Sequence, residues 1–249
     1  MRIPQIPETD LARVVSLPSE LRKPALKQLR FARPPYTYAP TRNMILDILD
    51  AEAGPLASVA RAPWKRLSER FDHCNLDEKG KLANRSVAKG LYDFATERGV
   101  FGDREKFGRL VLAGENVKYW SDVSFTLDNS LVVPFFDFRR LLRLTPGAMR
   151  FVFSVMHERI RALDPEFEKC RLAIVQFSLV AGDSPRVPEF HFDDTLRPFP
   201  HDVLVSMVCE AYELWREVLQ ERANDARSGV APRKATPEEK EGQLVFGWS

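Results

Sequence analysis

Two carboxylates on neighbouring strands can converge on one hard cation, and the segments WSDVSF and PFFDFRR offer that pair in Asp122 and Asp137. Arg139 follows Asp137 by two residues, a cation beside the candidate site. A second cluster lies in EFHFDD. If residues 187–192 form a strand that runs on briefly, Glu189, His191 and Asp193 share one face by its period of two. With His201 eight residues beyond Asp193, His191 and Asp193 make a candidate Zn²⁺ or Fe²⁺ ligand set. The competing explanation is a polar loop leading into a helix capped by Asp202. His157-Glu158 is no zinc-protease box, because Arg161 stands where the second histidine is required.

The third grouping is electrostatic. Residues 1–70 carry 12 Lys and Arg against 7 Asp and Glu, or +5, and the remainder carries 25 against 28, or −3. Within the basic stretch, Arg22, Lys23, Lys27, Arg30, Arg33, Arg42, Lys65 and Arg66 alternate with Tyr36, Tyr38 and Trp64. Cations that meet phosphates, interleaved with rings that stack on bases, make a nucleic-acid surface, and the same cations suit an acidic protein. The structural alternative is a solvated helix face with the tyrosines packed on the core. Glycine-rich phosphate loops are absent from the sequence.

The elements that must hold these groups follow from periodicity. Prolines at 4, 7, 18, 24, 34, 35 and 40 break residues 1–42 into a basic arm with short helical pieces, Ser19 capping one of them. The ARPPYTYAP stretch of that arm reads as extended. Residues 43–100 read as a helical annex: a short helix ended by Gly54, one opened by Pro63, and one from about Asp77 to Arg98. Residues 101–224 read as an α+β core. RLVLAG, the alternating VKYWSDVSFTL and LVVPFFDF are its first strands, with Pro134 marking the last as an edge or a bulge. A helix opened by Thr145-Pro146-Gly147 follows, then the apolar strand CRLAIVQFSLV, the short strand RVPEFHF and a helix from about Asp202 to Arg222. The expected fold is a mixed sheet of about five strands with helices packed on it. Residues 225–249 read as a polar tail whose end, QLVFGWS, is apolar enough to tuck back or bind a partner.

The order helix, three strands, helix, strand resembles the core of the restriction-endonuclease-like nucleases. That resemblance implies a Mg²⁺ site on Asp122 and Asp137, with Arg139 where the family places a water-positioning lysine. Arginine is always charged and planar, and so is not equivalent to lysine there.

At 249 residues, 44% hydrophobic and 29% charged, the chain has globular composition, which excludes wholesale disorder. No apolar run reaches the ~20 residues of a membrane span, and the three scattered cysteines fit a reducing compartment, so a cytoplasmic protein is expected. The leading expectation is a non-enzymatic binding or adaptor protein of bacterial type, without a cofactor, contacting nucleic acid or an acidic partner through its basic N-terminal region. The alternatives are a Mg²⁺-dependent nuclease, or a degenerate relative of one, and a protein–protein inhibitor or immunity-type module.

Overall fold

The computed structural model describes residues 3–29, 38–51, 61–140, 142–179 and 184–227. Five strands form the main sheet in the order β1 (Gly102–Arg104), β4 (Val123–Leu127), β5 (Ser130–Phe136), β6 (Arg171–Phe177), β7 (Pro188–Phe192). Strands β5 and β6 are parallel and the other three neighbouring pairs antiparallel, so the sheet is mixed. Strands β2 (Leu110–Leu112) and β3 (Glu115–Val117) form a separate two-stranded ribbon.

Alternation along the strands divides the interior into two layers. Val133 and Phe135 of β5 and Leu172 and Ile174 of β6 face α1 (Glu8–Val15), α7 (Pro146–Met156) and α8 (His201–Arg227). Val132, Phe136, Ala173 and Val175 face the other way, onto α4 (Ile45–Ile48), α5 (Trp64–Asp72) and α6 (Glu78–Glu97). Helices α2 (Ser19–Gln28) and α3 (Ala39–Asn43) complete the two outer layers, α2 against α8 and α3 against α6. The helical stretch expected as an annex thus shares one apolar cluster with the sheet.

Local chemistry explains the element ends. Asp77 caps α6 by accepting from the Gly80 amide at 2.8 Å, and Thr145 caps α7 by accepting from the Ala148 amide at 3.3 Å. Ser19 and Asp202 were expected as caps. Instead Ser19 is the first residue of α2, behind Pro18, and Asp202 lies in the first turn of α8. The hairpin β4–β5 turns through Asp128 and Asn129, both at positive φ, as a type I′ two-residue connection requires. Helix α7 runs into a π-helical turn at His157–Arg161.

Two expectations change. The alternating run 117–127 is not one strand. Lys118 to Asp122 leave the ladder between β3 and β4, where Tyr119 and Trp120 are buried; Tyr119 packs edge-on against Phe135 and Phe151. Tertiary packing of two rings overrides the period. Pro134 sits in an interior strand rather than at an edge. Its β4 ladder ends at Val132, and its carbonyl, on the side where the missing N–H would point, accepts from Ser121 at 2.9 Å. No helix among the described residues is long and apolar enough to cross a membrane.

Candidate functional site

The nuclease-like element order is present as α6, β1, β4, β5, α7, β6, with the ribbon inserted. Its three expected side chains go separate ways. Asp122 is exposed and paired with Lys118 at 2.6 Å. Asp137 is 1% exposed, and its carboxylate accepts from Gln176 Nε2 at 3.0 Å and from the Arg139 amide at 3.3 Å. The Arg139 guanidinium turns to Asp10 of α1 at 2.7 Å. One carboxylate faces water and the other is consumed by the interior, so they do not make one cradle.

The second cluster is also dispersed. Asp193 is held by Arg161 at 2.5 and 3.0 Å and by the Leu172 amide at 3.2 Å, which leaves its oxygens occupied. His201 pairs with Glu158 at 3.0 Å, and His191 stands on β7 with its Nε2 buried and without a hydrogen-bond partner among the described residues. Burial, then Arg143 nearby, lowers the His191 pKa, with Glu189 acting against them. Among the described residues no three His, Cys, Asp or Glu side chains gather as a metal site.

The cations that the basic arm places on α2 form internal ion pairs. Arg22 meets Glu210 at 2.5 Å, Lys23 meets Glu217 at 2.6 Å and Glu221 at 3.0 Å, and Lys27 meets Glu221 at 2.7 Å. Arg222 of α8 returns the contact, donating to the Lys27 and Leu29 carbonyls at the C-terminal end of α2. Hydrogen bonding to Glu217 and then Glu221 raises the Lys23 pKa, and Lys27 and then Lys23 hold the Glu221 pKa down. The three cations of α2 are therefore matched by the acidic face of α8. Trp64 leans on Tyr92 with Lys89 over its ring, while Lys65 and Arg66 stand exposed on α5. Arg30, Arg33 and Tyr36 lie outside the described residues, as do Gly54 and the QLVFGWS segment.

Tyr38 and Arg42 belong elsewhere, and with them comes the centre that sequence reasoning missed. Arg186 is 5% exposed. It donates to the carbonyls of Phe138 (3.1 Å), Arg139 (3.4 Å), Phe177 (3.0 Å) and Ser178 (3.0 Å), and to the Tyr38 hydroxyl (3.4 Å). Among the described residues no carboxylate pairs with it. Burial lowers its pKa, Arg140 and Arg143 add to the effect, and Tyr38 opposes it. Around it, Phe138 stacks with Tyr38, Phe136 and Phe177, and Arg42 lies over the Phe138 ring at 5.7 Å. Arg143 donates to Gln176 at 3.1 Å and pairs with Glu189. The legible signals were Gln176, the lone polar residue inside an apolar strand, and Gly90, a glycine inside a helix. A Cβ at Gly90 would stand 1.8 Å from the Arg186 carbonyl oxygen, so the loop carrying Arg186 lies directly on α6.

Comparison with known proteins gives the context. The family described as the sliding clamp-binding bacterial toxin SocB matches residues 9–225, from α1 almost to the end of α8. The DNA replication inhibitor toxin SocB of Caulobacter vibrioides (strain NA1000 / CB15N) is 32% identical over 228 residues, covering 91% of this chain and 95% of the relative. No solved structure matches.

Proposed function

The chain belongs to the family of sliding clamp-binding bacterial toxins that includes SocB, and from that premise we propose that it acts by binding, seating itself on the replication sliding clamp and so inhibiting DNA replication. The observation that carries this reading is the span of the match, which takes in both helical layers and the whole sheet. The dispersal of Asp122, Asp137 and Arg139, and of His191, Asp193 and His201, supports a protein whose work is contact rather than catalysis.

The contact itself we assign to the end of the chain. After the polar stretch NDARSGVAPRKATPEEKEG, the sequence Gln243-Leu244-Val245-Phe246-Gly247-Trp248 concentrates two aliphatic and two aromatic side chains in six residues. A short apolar sequence of this kind suits an apolar groove on a partner, where buried aromatic anchors carry most of the affinity.

The test is binding of the full chain, and of a chain ending at Arg227, to an immobilised bacterial sliding clamp. Loss of the segment is expected to weaken binding by about 100-fold, the loss of two aromatic anchors. Equal binding by the shortened chain would move the contact to the folded body. Failure of the full chain to bind the clamp would end the functional reading altogether.

A further inference from the structure

We propose that the arginine edge at the C-terminal ends of β5 and β6 is a binding surface for the phosphodiester backbone of a nucleic acid. The guanidiniums concerned form one connected set. Arg139 pairs with Asp10, which Arg13 approaches at 3.6 Å. Arg143 reaches Gln176, whose amide holds Asp137. Arg186 holds the carbonyls of Phe138 and Arg139, and Arg42 rests on the Phe138 ring.

Among the described residues, Arg13, Arg42, Arg139, Arg143 and Arg186 face three carboxylates, those of Asp10, Asp137 and Glu189. Asp137 is buried beneath Gln176, and its charge is already included in that count, which leaves two more cations than carboxylates. Arg186 is enclosed by neutral oxygens and rings, so its charge is projected outward through a low-dielectric interior rather than cancelled in place. Arg42 and Arg140 are exposed, and Arg13, Arg139 and Arg143 reach solvent in part.

The chemistry of the set points to phosphate. Every one of these cations is an arginine, whose planar fork can give two parallel donors to one anionic group. Asp10 and Glu189 engage some of the five donors on Arg139 and Arg143 and fix both groups in place, leaving other donors for a ligand. The edge lies outside the carboxyl ends of two parallel strands, where α/β sheets collect ligands. This surface is on the folded body, apart from the segment assigned to the clamp, and the inference does not rest on that assignment.

The experiment is fluorescence polarisation of the full-length protein against labelled single- and double-stranded DNA of about 20 nucleotides, at about 50 and about 200 mM salt. Binding that weakens with salt is expected. Replacing both Arg42→Ala and Arg143→Ala should weaken it at least tenfold and flatten the salt slope by about two units. The Lys23→Ala/Lys27→Ala variant, altered only in the α2 cations, should bind as the parent does. If loss of Arg143 disturbs folding, seen by circular dichroism, the exposed Arg42→Glu alone should still cost about tenfold. Absence of salt-sensitive DNA binding, or equal binding by the Arg42/Arg143 variants, overturns the proposal. Loss of clamp binding in those variants with DNA binding intact also overturns it, and assigns the edge to an acidic protein surface.

Discussion

Helix α2 and the loops around Arg186 both bring several cations against the protein, and they treat them differently. On α2 the cations meet glutamates of α8 in solvent, pair by pair, and the Lys23 and Glu221 titrations shift as such pairing requires. At Arg186 the partners are carbonyl oxygens and aromatic faces, and the cation is buried. The first arrangement cancels charge where salt already screens it. The second retains charge and uses the guanidinium to satisfy backbone oxygens that would otherwise be stranded inside. The difference separates two kinds of basic region: the α2 cations that looked available in sequence are matched by α8, and the buried cation of the inconspicuous loop has no such match among the described residues.

The contrast can be broken most severely at its centre. Arg186→Met keeps much of the side-chain bulk but leaves several buried carbonyls without donors, and should cost about 3 kcal/mol in urea unfolding. A cost near zero would mean that those oxygens find water and that Arg186 is no clasp. Next in size is Gly90→Ala, which drives a methyl group into the Arg186 carbonyl and should cost about 2 kcal/mol by overpacking. It should also lower DNA binding, since the same loop carries the arginine.

The α2–α8 pairs should give a smaller effect, and one that depends on salt. Lys23→Gln together with Glu221→Gln should lower the melting temperature slightly at low salt, with the difference vanishing near 1 M. Its pH dependence follows from the shifts. Glu221 is held below its ordinary 4.5, so its contribution is present above that pH and fades as pH falls through the lowered value. Lys23 is raised above 10.5, so its contribution is present below that pH and fades as pH rises through the raised value. Between about pH 6 and 9 the pairs should therefore leave stability flat, which thermal melts across that range would check.

The smallest effect belongs to His191, beside Arg143. Its pKa lies below the ordinary 6.5, so the unfolded chain binds the proton more readily. Stability is then fully present above about pH 6.5 and declines below it. His191→Gln should remove that part of the acid slope in melts between about pH 5 and 7.

Periodic segments carried the fold in the sequence. The apolar run of β6, the stripes of α6 and α8 and the Thr145-Pro146 opening of α7 could be read because local spacing and caps dictate them. The break between β3 and β4 could not, since alternation continues through residues 118–122 although two buried rings take the chain out of the ladder there. Asp122 and Asp137 illustrate the limit for sites. They look alike in sequence, yet one pairs with Lys118 in water and the other is enclosed under Gln176. The partners of α2 lie almost two hundred residues away on α8, so no local pattern could reveal that its three cations were already matched.

That long separation also sets a timetable for folding. The apolar faces of α1 and α2, with Ile6, Leu11, Val15 and Leu26 buried in the finished molecule, belong to a layer completed by the last described helix. Trp215 donates to the Pro4 carbonyl at 2.9 Å, tying the beginning of the described chain to that helix. On the ribosome these faces wait for α8 to emerge before their layer can close. Such late, non-local closure makes a newly made chain vulnerable to aggregation or proteolysis. The amount of finished protein in a cell would then depend on how often that wait ends in closure, as well as on how often the protein is synthesised.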